Sequence, residues 1–68
     1  MKNTIKIERA RHNLTQQDLA DKVAVSRQTI NSIEAGKYVP STVLALKIAK
    51  VFELPVEAVF QLEDLDFE

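Results

Sequence analysis

Two short amphipathic repeats, Leu14 to Val23 and Val25 to Glu34, follow each other with room only for a tight turn between them. Each opens on a hydroxyl residue suited to capping a helix, Thr15 and Ser26, because the side-chain oxygen can accept from a free N–H of the first turn. Asp18, three residues after Thr15, adds an acid at the positive end of the first repeat. Leu19, Ala20 and Val23 recur at helical spacing, as do Ile30 and Ile33. Neither helix can bury its apolar stripe alone, so the two must cross over a shared core. Arg27, Gln28, Asn31 and Ser32 then face outward or obliquely, at the exposed end of the second helix.

The rest of the chain supplies that core. A first helix is predicted over about residues 5–12, with Asn13 as a left-handed stop, since its short side chain tolerates positive φ. Gly36 is the only glycine and stands where the helix starting at Ser26 must end. Residues 37–41 form a loop, and Ser41 caps a fourth helix. Its apolar positions Leu44, Ala45, Ile48, Ala49, Val51 and Phe52 are broad enough to pack on two neighbours. Pro55 stops that helix and opens a short fifth one through about Phe60. Leu14, Leu19, Ala20, Ile30, Ile33, Leu44, Leu46 and Ile48 are the expected core. The ends read differently. Ile5 and Ile7, Phe60 and Leu62, and then Leu65 and Phe67 alternate with polar residues, a period suited to extended chain. Two readings stay open there: a small two-stranded sheet pairing the termini, or a frayed tail.

At 68 residues with 46% apolar content the chain fits one globular domain, residues 1–68, with an acidic extension from about residue 61. It has no cysteine, which excludes disulfides and thiolate metal sites. No apolar run approaches the roughly 18 residues of a membrane helix, and no leader pattern opens the chain, so a cytoplasmic protein without membrane contact is expected. One histidine, His12, has no partner for acid–base or nucleophilic work, and one glycine cannot build a phosphate loop. An enzyme, a cofactor or a metal is not expected, and no small-molecule effector site is evident.

The net charge of −1 conceals an asymmetry. Residues 1–52 hold all nine Lys and Arg and only four acids, a balance of +5. Residues 53–68 hold six acids and no base, a balance of −6. A basic body with a segregated acidic tail suits a polyanionic partner better than the total implies.

The outward residues have matching chemistry. An arginine at the first position of an exposed helix end can donate two parallel bonds to guanine O6 and N7, and a glutamine can pair with adenine N6 and N7. Taken singly, each would pass for a solvated surface residue; clustered on one face of a two-helix unit they point to DNA. Residues from about Ile5 to Phe60, led by Leu14-Thr15-Gln16-Gln17-Asp18-Leu19-Ala20 and Val25-Ser26-Arg27-Gln28-Thr29-Ile30-Asn31-Ser32-Ile33-Glu34, resemble the Cro/repressor-type, or lambda-repressor-like, helix-turn-helix family. The resemblance implies an all-α, five-helix DNA-binding domain. It implies base contacts from Arg27, Gln28, Asn31 and Ser32. It implies phosphate contacts from Gln16, Gln17, Thr29, Lys37, Tyr38 and Ser41. It also implies a structural ion pair between Arg9 and Glu34. The sequence departs from the family at Ala24, where glycine is usual, and at Glu8, where an apolar residue is common; Ile7 is expected to take over the packing at Glu8.

One reading helix spans only a few base pairs, and short members of this family are often homodimers. The apolar positions Val56, Val59, Phe60, Leu62, Leu65 and Phe67 are the candidates for a self-contact; packing over the first and fourth helices is the other role open to them. The expectation is therefore a regulator that binds a palindromic double-stranded operator as a homodimer and represses by blocking polymerase. An antitoxin or phage-type immunity repressor is a variant of that reading. The competing class is a protein-interaction module that has lost DNA binding, against which Arg27, Gln28 and Lys37 argue.

Overall fold

The computed structural model describes all residues 1–68, and its elements run in the order β1 (Lys2–Asn3), α1 (Ile5–Arg11), α2 (Gln16–Val23), α3 (Arg27–Glu34), α4 (Thr42–Val51), α5 (Val56–Val59) and β2 (Phe60–Gln61), with a closing 3-10 turn at Asp64–Phe67. The five helices enclose one cluster of buried side chains, centred on Ile5, Leu19, Ile30, Ile33, Ile48 and Val59. β1 and β2 pair antiparallel, Lys2 opposite Gln61 and Asn3 opposite Phe60, so the two ends of the chain are tied together. No helix is long and apolar enough to cross a membrane.

The caps explain the helix boundaries. Thr15 and Asp18 form a reciprocal capping box: the Thr15 hydroxyl accepts from the Asp18 N–H, and the Asp18 carboxylate accepts from the Thr15 N–H at 2.9 Å each. Those bonds hold the Asp18 carboxyl below its usual pKa, the Thr15 backbone N–H contributing most. Ser26 and Ser41 accept from Thr29 N–H and Leu44 N–H in the same manner, each at 3.1 Å. Left-handed residues close three helices: Asn13 at φ 54°, Ala24 at 61° and Gly36 at 76°. Glu53, at φ 56°, does the same after α4, a conformation its own side chain does not favour but which the stop at Pro55, two residues on, accompanies.

Several expectations are corrected. α1 begins at Ile5, which is fully buried, so the Ile5/Ile7 alternation is a helical turn rather than a strand. It ends at Arg11, one residue short of expectation. Ile7 is 55% exposed and does not replace an apolar residue at position 8. Glu8 itself is buried, and its carboxylate reaches Arg11 Nη1 at 3.2 Å on the surface. Leu46, expected in the core, is half exposed, because the inward stripe of α4 runs through Leu44, Ile48 and Ala49. α5 stops at Val59, and Phe60 belongs to β2. The Leu65/Phe67 alternation lies in the 3-10 turn, not in a strand.

The tail is anchored at its base. The ammonium of Met1 lies 3.0 Å from both Glu63 and Asp66, and Asp66 also accepts from the Glu63 N–H at 2.7 Å.

Ala24 carries strain that glycine would relieve. A left-handed L-residue costs roughly 1–2 kcal/mol, partly offset by glycine's greater freedom in the unfolded chain. Ala24→Gly is expected to stabilise the chain by about 0.5–1 kcal/mol, or roughly 4 °C in Tm for a domain of this size. Thermal unfolding checks this; an unchanged or lowered Tm contradicts it.

Candidate nucleic-acid interface

α3 rests on the core through Ile30 and Ile33, both essentially fully buried, which fixes its opposite side toward solvent. Its orientation is set further by polar contacts at its C-terminal end. Arg9 of α1 grips Glu34 through two bonds, Nε to Oε2 at 2.7 Å and Nη2 to Oε1 at 3.2 Å, and its remaining Nη1 donates to the Leu14 carbonyl at 2.9 Å. The Arg9 and Glu34 side chains are 15% and 9% exposed, so the pair works in a poorly solvated setting. Asn3 adds a contact that the sequence reading missed. Its amide donates to the Ile33 carbonyl at 2.9 Å while its carbonyl oxygen accepts from the Ile5 N–H, so it ties β1 and the start of α1 to the end of α3. The available signal was an Asn two residues ahead of a helix, a position from which its side chain can mimic a cap.

The structure brings Gln16 to this junction. Its amide donates to Asn31 Oδ1 and to Glu34 Oε1, both at 3.3 Å, linking the first turn of α2 to the outer face of α3. Gln28, Thr29 and Ser32 meet Lys37 and Tyr38 around a shallow depression of about 260 Å³. Gln28 Nε2 and Ser32 Oγ stand 3.4 Å apart, too long for a strong bond, so both retain capacity for an external partner. Arg27 is exposed and forms no hydrogen bond or ion pair within the chain. The guanidinium is thus a free cation on the first turn of α3, with Gln28 next to it in sequence and Asn31 one turn on.

The other sequence-predicted residues have local employment. Gln17 donates to Asp21 at 2.8 Å along α2, leaving its amide oxygen free. The Thr29 hydroxyl lies 3.0 Å from that of Ser26. Ser41 caps α4 through its oxygen and keeps a hydroxyl proton to donate. Lys37 is exposed and Tyr38 half exposed, just after the Gly36 stop. His12 is turned away from this face: its Nδ1 meets the Glu8 carbonyl at 2.9 Å and its ring tilts against Phe52.

Two capped helices crossing at a tight left-handed turn, with a polar outer face on the second, define a helix-turn-helix. The helix-turn-helix family profile matches residues 5–59. An uncharacterized HTH-type transcriptional regulator of Methanocaldococcus jannaschii is 61% identical over 64 residues, which cover 94% of this chain and 97% of that one. The uncharacterized HTH-type transcriptional regulator YgzD of Bacillus subtilis is 52% identical over the same length, with the same coverage. The crystal structure of a transcriptional regulator from Listeria innocua superposes with a TM-score of 0.71 over 98% of this chain and 71% of its own, at 18% identity, a likeness of fold. The chain belongs to the Cro/C1-type helix-turn-helix family of transcriptional regulators.

Removing either partner of the Arg9–Glu34 pair strands a poorly solvated charge. Glu34→Ala and Arg9→Ala are each expected to cost roughly 3 kcal/mol, with the double variant losing clearly less than the sum. Denaturant unfolding of the four proteins checks this; strictly additive losses show that the two side chains do not support each other.

Proposed function

We propose that the chain is a sequence-specific, double-stranded-DNA-binding transcriptional regulator that seats α3 in the major groove. Arg27 and Gln28 lead the base reading, with Asn31 and Ser32 further along the same face. Gln16, Gln17, Thr29, Lys37, Tyr38 and Ser41 hold the phosphate backbone on either side. Such contacts fix position and register, whereas the base-edge contacts carry sequence. The observation that carries the reading is the unpaired, exposed Arg27 guanidinium beside Gln28 on a helix whose opposite side is locked into the core.

The regulator acts as a homodimer on a palindromic operator, placing two reading helices about one DNA turn, roughly 34 Å, apart. It represses by occupying a site that polymerase needs, and it works in the cytoplasm where the DNA is. The basic body supports this: a balance of +5 over residues 1–52 draws in DNA, while the −6 tail disfavours docking through its own surface.

Base reading and phosphate grip have different signatures. Arg27→Ala is expected to relax base choice at one position per half-site, costing roughly 1–3 kcal/mol on the preferred sequence. Lys37→Ala is expected to weaken all sequences alike and to reduce the slope of log affinity against log salt by about 1. Selection from random duplex DNA and salt titration check both. An unchanged selected motif removes Arg27 from the base-reading set, and an unchanged slope removes Lys37 from the phosphate set.

A further inference from the structure

α4 turns apolar side chains outward as well as inward. Val43 and Leu46 are 64% and 52% exposed, and Val39, just ahead of the helix, is 63% exposed. Between Val39 and Leu46 on one side and Val56 of α5 on the other runs an open groove of about 300 Å³, with Met1, Phe60 and the acidic Glu57 among the other residues that line it. Further along the same face of α4 come Lys47 and Lys50, four residues after Val43 and Leu46, so each apolar side chain is followed by an ammonium one turn on.

The tail has the opposite character. Leu62, Leu65 and Phe67 are 64%, 76% and 77% exposed, interleaved with Glu63, Asp64, Asp66 and Glu68. The clamp of the Met1 ammonium on Glu63 and Asp66, 3.0 Å to each, holds one turn of 3-10 helix there and keeps Leu65 and Phe67 pointing into solvent. Met1 both lines the groove and binds the tail, so the groove and the projecting side chains are neighbours on one surface. Val59 and Phe60, expected in a self-contact from the sequence, are core residues, 0% and 7% exposed. The apolar surface they would have supplied comes instead from α4 and the tail.

We propose that this groove receives the Leu65–Phe67 segment of a second copy of the chain, the two copies exchanging tails reciprocally about a two-fold axis. The proposal rests on the two-subunit reading above and assigns its contact surface. Three observations favour a second copy over another partner. The surface is self-complementary, because each chain carries one groove and one set of projecting apolar side chains, as an isologous contact requires. The charges match beyond the groove, where a tail of carboxylates and no base can meet the exposed Lys47 and Lys50 of α4 and is steered away from Glu57 in the groove wall; that complementarity governs orientation more than strength. The exposure also fits: Val39, Val43, Leu46, Leu62, Leu65 and Phe67 are each more than half exposed, and a specific interface covers roughly 800 Å² per partner.

Two measurements on the full chain test this. Sedimentation equilibrium is expected to show a dimer whose dissociation constant rises at least tenfold in Leu46→Asp and in Phe67→Asp. Both positions are exposed, so retained helicity by circular dichroism separates lost association from lost folding. The chain has no native cysteine, so Glu68→Cys accepts a single nitroxide. Mixed with isotope-labelled, unmodified chain, it is expected to broaden the amides of Val39, Leu46 and Val56 in the labelled copy, an effect only contact between copies can produce. A chain that stays monomeric at millimolar concentration overturns both this interface and the two-subunit reading. A dimer unaffected by the two substitutions, or one broadened elsewhere, overturns the interface and leaves the two-subunit reading standing. Arg27 and Lys37 lie outside this surface, so Phe67→Asp keeps the salt-dependent DNA binding of a single subunit. Absence of DNA binding in the unmodified protein would overturn the DNA reading and leave the interface result intact.

Discussion

The Arg9 guanidinium holds the Glu34 carboxylate in two hydrogen bonds, and the placement of α3 depends on that contact. Ile30 and Ile33 press α3 against the core, but apolar burial is non-directional and leaves the helix free to slide or roll. The ion pair removes that freedom because a planar fork on a planar carboxylate fixes angle as well as distance. Arg9 belongs to α1, its third nitrogen holds the Leu14 carbonyl, and Gln16 at the head of α2 shares Glu34. One carboxylate therefore registers three helices. Asn3 ties the same end of α3 to β1, whose partner strand follows α5, so the two ends of the chain help hold the helix in place.

From that registration the outer face follows. Gln16 meets Asn31, and Gln28, Thr29 and Ser32 gather with Lys37 and Tyr38, without any further device. Arg27 is left unpaired while most other polar groups near it are engaged locally. A guanidinium with no partner inside the chain, on the face of a rigidly held helix, can exchange its water for an external acceptor without breaking any internal bond, which is what the proposed base reading asks of it. The turn that allows this arrangement is imperfect. Ala24 takes the left-handed conformation at φ 61° where a glycine would fit without strain, so the packing of the flanking helices overrides the local cost.

The helices were legible where capping chemistry and periodicity agree. Thr15, Ser26 and Ser41 announce α2, α3 and α4, and Gly36 and Asn13 announce two stops, because each acts through its immediate neighbours. What depends on distant partners was harder to read. Leu46 was hard to tell from Leu44 because α4 is apolar on most of its surface; the signal is that Leu46 stands one turn before Lys50, whereas Leu44 stands one turn before Ile48. Ile5 and Ile7 alternate with polar residues, yet Ile5 starts a helix, because two apolar residues two apart are compatible with either period over so short a stretch. Glu8 was misjudged for a related reason: a glutamate has enough aliphatic stem to fill a core position while its carboxylate escapes to Arg11. Val59 and Phe60 go to the core because Phe60 enters β2 and pairs with Asn3 at the other end of the chain, a contact no local signal announces. The outward residues of α3 followed from the helix itself, but their convergence with Lys37 and Tyr38 required the Gly36 turn to be seen in place.

The surface that meets DNA is open to a direct test by amide chemical-shift mapping in ¹H–¹⁵N NMR during titration with a short duplex. The largest shifts are expected on residues 16–17, 27–32 and 37–41, with α1 and the groove lining between α4 and α5 little affected. Shifts concentrated on α1 or α5, with Arg27 and Gln28 unmoved, would rule out α3 as the reading helix.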